Sequence, residues 1–381
     1  MNRIIAFTKD WDDVPTCTTH ILREMGKTMS VLWINSIGMR RPQLSNRRDL
    51  RRLFRKCITA LRPPLLKEKN LRVLSPLVLP KADSAAGRAL NRWLLRGVVR
   101  RTLREMGDGP IEFWAFLPNA VDFVGSFGES IIVYYCVDDW SLFPGVSADW
   151  INACERRLLQ RADVVFASSR WLEAKCRKIA GRRVHYMPHG VWHAQFAAAL
   201  QPDLPLPPDI AALPSPRVGF YGNIHHWVDI GLLKDLAAAR PQWSFVLIGP
   251  VYCNVEPLRR FPNVCLLGRR ESEQLPAYCK GFDVALIPYL LSDPRMESVN
   301  PAKLRELLSA GVPVVASDIP EVRGVSRFVR TARTAEEFLA ALDSWLQERV
   351  SREEISAERR ADDWPLRVQM IRRIIEETVG R

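Results

Sequence analysis

Residues 300–317 read NPAKLRELLSAGVPVVAS, and this stretch predicts a short helix, a glycine stop and a buried strand. Pro301 suits the first helical position, where its missing N–H is not needed. Gly311 suits the residue that ends a helix, because glycine readily adopts the left-handed conformation found there. Three leucines share one face of the helix, and a β-branched apolar run follows it. The stretch therefore predicts one helix–strand unit of a parallel α/β sheet.

Two polar residues of this helix stand out. Lys303 and Glu306 are three residues apart, so both side chains project from one side of the helix, near its start. Free N–H groups give a helix start a partial positive charge that favours phosphate. A lysine can bind the same phosphate, and a carboxylate can accept hydrogen bonds from two sugar hydroxyls. The combination indicates a nucleotide-sugar site, with an ordinary amphipathic helix on a sheet as the alternative.

Length and composition bound the class of protein. A chain of 381 residues suggests two domains, and 47% hydrophobic with 25% charged residues is typical of globular proteins. No apolar run of about 18 residues predicts a membrane span. The N-terminus lacks the apolar core of a signal peptide, so we expect a cytoplasmic protein, peripheral on the inner face of the membrane. Eight cysteines without a C-x-x-C pair argue against a disulfide framework and structural zinc.

The positive charge is unevenly distributed. Residues 1–110 contain 23 Lys and Arg against 9 Asp and Glu, whereas the rest of the chain contains 32 against 33. No recognition-helix, zinc or RNA-binding signature accompanies this charge, so nucleic acid is not expected as a partner. An anionic membrane surface or a lipid-phosphate acceptor fits better. The predicted helix 46–62 has an arginine-rich face that could lie on lipid headgroups, or could simply be solvated.

Apolar strands alternate with helical patterns along the whole chain, which predicts an α/β protein with two Rossmann-like domains facing across a cleft. Strands are expected at 2–8, 30–35, 71–75, 111–117, 131–137, 163–168, 183–188, 217–222, 244–249, 263–267, 283–288 and 313–317. Helices are expected at 15–26, 46–62, 85–106, 149–161, 169–179, 229–239, 271–280, 301–310, 334–348 and 364–378. The predicted domains are an N-terminal acceptor-side domain (1–200), a proline-rich linker (201–216), a C-terminal donor domain (217–355) and a C-terminal helix (356–381) that crosses back to the first domain.

Several short motifs, in this order, resemble those of GT-B fold glycosyltransferases, in particular the bacterial group 1 type that uses nucleotide-diphospho-sugars. The motifs are VYYCVDDW at 133–140, a helix containing Glu155, RADVVFASS at 161–169, MPHGV at 187–191, VGFYG at 218–222, FVLIGP at 245–250 and the 300–317 stretch. The resemblance covers most of the chain. It implies transfer of a sugar to a glycan or lipid-linked acceptor in cell-surface polysaccharide or glycolipid synthesis.

The resemblance also implies roles for individual residues. Glu306 matches the glutamate that usually binds the nucleotide ribose, which leaves Lys303 and the backbone near the helix start for the diphosphate. Gly219 and Gly222 would allow close approach of the sugar phosphate, and Gly249 with Pro250 at another strand end could flank the base. The predicted donor-binding residues are Gly222, Asn223, His225, His226, Gly249, Pro250, Arg295, Ser298, Asn300, Pro301, Lys303 and Glu306.

This chain departs from the family pattern at three places. Many relatives have a second glutamate where this chain has Ser298, so that donor contact is in doubt. They also have an Arg and a Lys after the glycine loop, where this chain has His225 and His226. A histidine common in relatives is replaced by Asp138. Neutralisation of the diphosphate would then depend on the two histidines, Arg295 or Lys303.

Sugar transfer needs an activated acceptor hydroxyl and a stabilised leaving group. Asp138 is the predicted base or acceptor-orienting residue, supported by Asp139, although two aspartates can also simply end a strand. The residues expected to line the acceptor side are Asp10, Asp12, Thr16, His20 and His189. The fold class generally works without metal, so we expect no metal ion and no cofactor other than the donor as co-substrate.

Other functions on this architecture stay open. A nucleotide-sugar epimerase would need acid and base residues from both domains, and no comparable set is evident. A non-catalytic nucleotide-sugar-binding subunit is suggested by Ser298 and by the missing Arg and Lys. A Rossmann dehydrogenase is disfavoured, because no G-x-G-x-x-G follows the first strand of either half.

Overall fold

The computed structural model describes residues 2–39, 64–79 and 84–380. The chain divides into two compact units. Unit 1 comprises Met1–Pro188 with Val368–Arg381, and unit 2 comprises His189–Arg367. The predicted basic helix 46–62 lies outside the described residues.

Unit 1 contains an eight-stranded sheet in the order β3-β4-β2-β1-β5-β6-β7-β8, in which only the β3–β4 pair is antiparallel. The inner strands are nearly continuous runs of buried apolar residues, as expected for a parallel sheet covered on both faces. The strands are β1 (Arg3–Phe7), β2 (Ser30–Ile34), β3 (Leu65–Glu68), β4 (Leu71–Leu74), β5 (Ile111–Ala115), β6 (Ile131–Cys136), β7 (Val164–Ala167) and β8 (Val184–Tyr186).

The helices of unit 1 are amphipathic and bury one face each. The helix Arg170–Ala180, for example, is capped by Ser169 and buries Leu172 and Cys176. The α-helices are Cys17–Gly26, Ala85–Glu105, Ala148–Arg161 and Arg170–Ala180, with single 3₁₀ turns at Pro118–Phe123, Trp140–Leu142 and Gly181–Arg183.

Unit 2 contains a six-stranded, fully parallel sheet in the order β11-β10-β9-β12-β13-β14. This is the doubly wound Rossmann order, in which the strand order reverses between β9 and β12, and ligands of such sheets bind beyond the carboxyl ends at that point. The strands are β9 (Arg217–Tyr221), β10 (Ser244–Ile248), β11 (Val264–Gly268), β12 (Val284–Ile287), β13 (Val314–Ser317) and β14 (Val329–Ala332).

The helices of unit 2 cover both faces of this sheet. The longer α-helices are Ile230–Ala239, Leu275–Lys280, Ala302–Ser309, Ala335–Gln347, Arg352–Ala357 and Trp364–Val379, the last of which ends in unit 1; shorter ones are His193–Ala197, Pro208–Ala211 and Glu256–Arg259. The 3₁₀ turns are Ala198–Leu200, Ser272–Gln274, Pro294–Glu297 and Arg360–Asp362.

The predicted α/β class with two parallel-sheet domains is confirmed, but the expected linker differs. The proline-rich segment 201–216 lies inside unit 2, where Ile210 is fully buried. The Lys280 ammonium donates to the carbonyls of Gln201, Pro202 and Leu204. These contacts fix the segment to the unit that follows it, and the boundary between the units falls at Pro188.

Two strands were missed by the sequence prediction. All four residues of β3 are exposed, and only the last residue of β14 is buried, so neither has the apolar run of an inner strand. Both lie at an outer edge of their sheet. Among the helices of the described segments, none is long and apolar enough to cross a membrane.

Candidate functional site

The helix Ala302–Ser309 follows the point where the strand order of unit 2 reverses. Pro301 was predicted as the first helical residue, but the helix begins at Ala302, and Pro301 immediately precedes it. The Leu304 N–H donates the first hydrogen bond of the helix, to the Pro301 carbonyl. Gly311 ends the helix with φ 73°, a conformation that strains any residue with a Cβ. Leu304, Leu307 and Leu308 (the apolar face) are fully buried, so the helix is fixed against the sheet.

Glu306 is held beside the end of β9. Its Oε2 accepts a hydrogen bond from the Tyr221 hydroxyl at 2.8 Å. Burial raises the pKa of Glu306, whereas the Tyr221 hydrogen bond and the Lys303 ammonium lower it. Burial and the neighbouring carboxylate also raise the pKa of Tyr221 well above its usual value, so this tyrosine remains a donor. The carboxylate is thus oriented by one bond and retains further acceptor capacity.

Lys303 lies on the same side of the helix and next to Gly222. Its ammonium is 4.3 Å from the ring centroid of Phe220 and 5.4 Å from that of Tyr289. Burial lowers the pKa of Lys303 to about 8, and Glu306 raises it only in part. Burial deprives the Lys303 ammonium of the water that would stabilise its charge. A bound phosphate would supply that stabilisation, so the site is suited to an anion. Spacing in the sequence predicted Lys303 and Glu306, but it did not predict the aromatic residues beside them, which are Phe220, Tyr221 and Tyr289.

Gly222 and Gly249 bring two strand ends very close together. A Cβ on Gly222 would lie 2.5 Å from the Lys303 Nζ, and one on Gly249 would lie 1.9 Å from the Gly222 carbonyl oxygen. Both glycines have positive φ angles, of 129° and 146°. Gly219 was also expected to admit the donor, but it has a different role. A Cβ on Gly219 would lie 2.3 Å from the Phe282 ring, so the glycine makes room for that ring.

Arg295 is already neutralised within unit 2. It forms an ion pair with Asp293 and donates a 2.9 Å hydrogen bond to that residue from Nε. The hydrogen bonds from Arg295 hold the pKa of Asp293 below its usual range. Arg295 also contacts His226 Nε2 at 2.6 Å, which makes that nitrogen an acceptor. Arg295 and His226, two of the predicted donor-binding residues, therefore lie together with the Asp293 carboxylate.

The loop after Gly222 is ordered by its neighbours. His225 stacks on Trp227 with ring centroids 4.0 Å apart, and burial, with the charges nearby, lowers its pKa. The Ile224 N–H donates to the Pro250 carbonyl at 3.0 Å. Asn223 is exposed. His225, Asn223 and Pro250 therefore share one surface after β9 and β10.

Two predicted donor-binding residues point inward. The Ser298 hydroxyl is buried and donates to the Arg295 carbonyl at 3.1 Å. The Asn300 side chain is buried, accepts from Arg305 at 2.9 Å and donates to Glu321 at 3.2 Å. The side chains of both residues therefore hold the chain that leads into the helix, and only their backbone remains available to a ligand. Sequence reasoning did not identify Arg305 or Glu321.

An open cavity of about 430 Å³ lies elsewhere at the carboxyl edge of the unit 2 sheet. Its lining includes Asp229, Ser317, Arg333 and Tyr289. None of the predicted donor-binding residues lines it. Of the residues described around Lys303 and Glu306, Tyr289 is the one that also lines this cavity.

In unit 1, Asp139 is part of a buried ionic network. Its carboxylate accepts hydrogen bonds from the Ser141 hydroxyl at 2.6 Å and from Lys175 at 3.0 Å. The same lysine is 2.9 Å from Glu155, which accepts a 2.6 Å bond from the Tyr134 hydroxyl. Burial acts to lower the pKa of Lys175, but the two carboxylates raise it well above its usual value. Asp139 therefore holds the turn after β6.

Asp138 lies on the other side of the same backbone and is half-buried. Its charge acts on Cys17, the first residue of the helix Cys17–Gly26. Burial raises the pKa of the Cys17 thiol to about 12, and the Asp138 carboxylate adds to the rise. The end of β6 and the start of this helix thus meet within unit 1, which makes Asp138 the better candidate of the two aspartates for chemistry.

The other predicted acceptor-side residues have different surroundings. The Asp10 carboxylate accepts from the Ser36 N–H at 3.0 Å, whereas Asp12 is exposed. Thr16 precedes the helix, and its N–H donates to the Thr19 hydroxyl at 3.2 Å. Burial lowers the pKa of His20 to about 4, so this histidine is neutral at pH 7. His189 is buried at the start of unit 2.

The described residues contain no group of three or more His, Cys, Asp or Glu side chains arranged to hold a metal ion.

Part of the chain is similar in sequence to known glycosyltransferases. Residues 215–348 match the family model "Glycosyl transferases group 1". A protein of Bacillus subtilis (strain 168) with the provisional name teichuronic acid biosynthesis glycosyltransferase TuaH is 32% identical over 207 residues. That alignment covers 50% of this chain and 51% of TuaH, so the chain matches about half the length of this curated relative.

Solved structures resemble the whole chain. Sucrose-phosphate synthase from Thermosynechococcus elongatus has a TM-score of 0.68 at 15% identity, with 100% of both chains covered. Anabaena Alr3699/HepE in complex with UDP has a TM-score of 0.65 at 15% identity, with 99% of both chains covered. The predicted resemblance is confirmed: the chain shares the GT-B fold of these structures, and its residues 215–348 match the glycosyl transferases group 1 model.

Proposed function

We propose that this protein is a glycosyltransferase that moves a sugar from a nucleotide-diphosphate-sugar donor to a glycan or lipid-linked acceptor in cell-surface polysaccharide or glycolipid synthesis. The observation that carries this proposal is the Lys303–Glu306 pair. One helix of eight residues presents a desolvated ammonium and an oriented carboxylate beyond the carboxyl ends of β9 and β12.

The chemistry of the pair matches two parts of such a donor. Glu306 would accept hydrogen bonds from the ribose hydroxyls, since one carboxylate oxygen is oriented by Tyr221 and the other is not. Lys303 would bind the diphosphate, and its charge would stabilise the departing nucleoside diphosphate. Gly222 would leave room for the Lys303 ammonium that binds the phosphate, because a Cβ at this position would lie 2.5 Å from the Lys303 Nζ.

Unit 1 would supply the acceptor chemistry. Asp138 would take the proton from the acceptor hydroxyl, and Asp139 with Lys175 would hold the turn that carries Asp138. Asp10, Asp12, Thr16 and His20 follow β1 and would contact the acceptor. Neither Asp138 nor the donor residues require a metal for these roles, so we propose a metal-independent reaction.

The compared proteins support the proposal. HepE was solved with UDP, and TuaH is named for teichuronic acid biosynthesis. We therefore propose a nucleotide diphosphate sugar as donor and a surface polysaccharide or its lipid-linked precursor as acceptor. A cytoplasmic location at an anionic membrane surface is part of the same proposal, because the excess positive charge lies in residues 1–110.

Thermal-shift screening against UDP-, GDP- and dTDP-linked sugars tests this function. We expect one nucleotide series to raise the Tm, and that donor to be hydrolysed slowly or its sugar transferred when acceptor glycans are added. Donor binding without any turnover would instead identify a non-catalytic binding subunit, and an epimerised donor without acceptor would identify an epimerase. No shift with any nucleotide sugar would contradict the proposal.

A further inference from the structure

The helix Ala85–Glu105 of unit 1 has a buried face and an unusual outer face. Its buried residues recur at helical spacing and pack on the sheet: Asn91, Leu95, Val99, Thr102 and Leu103. The opposite face of this helix, which the sequence predicted at 85–106, is also partly apolar. Trp93 is 73% exposed and Leu90 is 43% exposed. Because Leu90 and Trp93 are three residues apart on one helix, they form an exposed apolar patch, and such a patch can mark an interaction surface.

A second exposed segment runs beside this helix. The Asn91 side chain accepts from the Leu79 N–H at 2.7 Å and donates to the Leu79 carbonyl at 2.8 Å. This pair of bonds fixes residues 77–79 alongside the first half of the helix. Leu77 and Leu79 are both about half exposed, at 48% and 50%. We call Leu77, Leu79, Leu90 and Trp93 the docking face, whose two segments are joined by the two hydrogen bonds between the Asn91 side chain and the Leu79 backbone.

The second half of the helix carries positive charge on its outer side. Arg96, Arg100 and Arg104 are exposed and recur every four residues. They form no ion pair with any residue of the described segments. Glu105 is the acidic residue of this helix, and it is paired with Arg101 at 3.5 Å. The helix therefore presents apolar side chains first and unpaired cations next.

We propose that this helix lies in the plane of an anionic phospholipid bilayer, with the docking face in the headgroup boundary and the three arginines on lipid phosphates. Tryptophan and leucine enter that boundary because they have large apolar surfaces, and the indole N–H finds a polar partner there. Each arginine is attracted by the negative surface, and its long stem reaches the phosphates from the edge of the apolar patch. The proposal rests on the membrane part of the proposed function and identifies the surface that carries it.

The mixed character of the surface favours a bilayer over other acidic partners. Nucleic acid would be bound by the arginines, but Leu77, Leu79 and Leu90 offer it neither hydrogen bonds nor stacking surfaces. In a bilayer, the apolar first half of the helix would contact the headgroup boundary, and the arginines of the second half would contact the lipid phosphates. Binding should therefore depend on Trp93 as well as on the arginines, and this double dependence separates a bilayer from duplex nucleic acid, whose bases are already stacked on one another.

The experiment uses the full chain and sedimentation with vesicles of phosphatidylcholine alone or with added phosphatidylglycerol, at low and high salt. The test variants are Trp93→Ser and the triple variant Arg96→Gln/Arg100→Gln/Arg104→Gln. The matched controls are Trp171→Ser, a tryptophan 37% exposed on another helix, and Arg182→Gln/Arg259→Gln/Arg260→Gln, which removes the same charge from exposed sites elsewhere.

We expect the wild type to bind the anionic vesicles at low salt and to be released at high salt. The triple arginine variant should bind about 100-fold more weakly. Trp93→Ser should bind about tenfold more weakly. Both controls should bind like the wild type. Equal binding to neutral and anionic vesicles, no binding to either, or equal losses in test and control variants would each overturn the proposal.

Two further readouts keep the outcomes separate. Binding to duplex DNA that is lost in the triple variant and kept in Trp93→Ser, with no vesicle binding, would assign the face to nucleic acid and overturn the proposal. The donor-induced rise in Tm is measured on Trp93→Ser and on the triple variant of Arg96, Arg100 and Arg104. It should be unchanged, because these residues belong to unit 1, whereas Lys303 and Glu306 belong to unit 2. Lost vesicle binding with an intact donor shift thus tests the membrane surface alone.

Discussion

Lys303 and Glu306 in unit 2 and Asp138 and Asp139 in unit 1 are two pairs of acidic or basic residues that are close in sequence. The structure arranges them in opposite ways. The first pair shares one side of a helix and lies beside Gly222 and Tyr221. The second pair is split, since Asp139 is enclosed with Lys175 and Ser141.

The difference follows from backbone geometry. Residues three apart in a helix point the same way, so a pair of this kind can act on one ligand. Adjacent residues at a strand end point to opposite sides, so only one of them can share a site. Spacing in the sequence therefore predicted correctly that Lys303 and Glu306 share one side of the helix, whereas the strand-end pair needed the structure to show which aspartate is enclosed.

The largest effect should come from Asp138→Asn. Loss of a positioned general base typically reduces kcat by about 10²- to 10⁴-fold. The donor Kd and the free energy of unfolding should remain close to wild type, because the side chain is half-buried and the donor residues belong to unit 2. Steady-state kinetics with the identified donor and acceptor measure this. An unchanged kcat would remove Asp138 from the chemistry.

Asp139→Asn should instead act on stability. The substitution removes a charge-assisted bond to the buried Lys175, which Glu155 still partners, so we expect a loss of about 2 kcal/mol in the free energy of unfolding. Chemical denaturation measures it, and Asp108→Asn, an exposed aspartate of unit 1, should change little. If Asp139→Asn left stability intact and abolished turnover, the roles assigned to the two aspartates would be reversed.

Lys303→Met should weaken nucleoside diphosphate binding about tenfold and leave nucleoside binding unchanged. Methionine retains the contacts with the Phe220 and Tyr289 rings and loses only the charge. Titration calorimetry with both ligands separates the two effects. Equal weakening of nucleoside and diphosphate would exclude a phosphate role for Lys303.

The same variant predicts a difference in pH dependence. Because the pKa of Lys303 is about 8, its ammonium fraction falls between pH 7 and pH 9, and wild-type diphosphate affinity should fall several-fold over that range. Stability should change in the opposite direction: burial lowers this pKa in the folded protein, so the stability linked to it rises as the pH increases from 8 toward the ordinary lysine value. Lys303→Met should show neither change.

The paired variant Asp293→Asn/Arg295→Gln provides a contrast with Lys303. Asp293 already neutralises Arg295, so removing both should affect diphosphate affinity less than Lys303→Met does. A larger loss would mean that Arg295 changes partner when the donor binds.

Much of the fold was predictable from apolar runs. The inner strands of both sheets and the long helices were predicted because buried parallel strands are continuous in Val, Ile and Phe. The edge strands β3 and β14 were missed because an exposed strand has no such run. The linker was misplaced because proline content indicates stiffness, but not which unit the segment packs against.

The candidate site was predictable only where local spacing decides geometry. Lys303 and Glu306 followed from helix periodicity, whereas Gly222 followed from the resemblance to the family. Tyr221 and Tyr289 could not be identified, because aromatic residues at strand ends more often belong to the core. The inward orientation of Asn300 depends on Arg305 and Glu321, whose burial only the three-dimensional structure shows.

The measurement that tests the account most directly is the donor Kd of Glu306→Gln. Glutamine still accepts the Tyr221 hydrogen bond, so the variant should fold with near wild-type stability, but it loses the charge that strengthens bonds to two hydroxyls. We predict donor binding about 10- to 100-fold weaker by calorimetry, with the unfolding midpoint unchanged. A wild-type Kd in this folded variant would contradict the placement of the donor on the helix Ala302–Ser309.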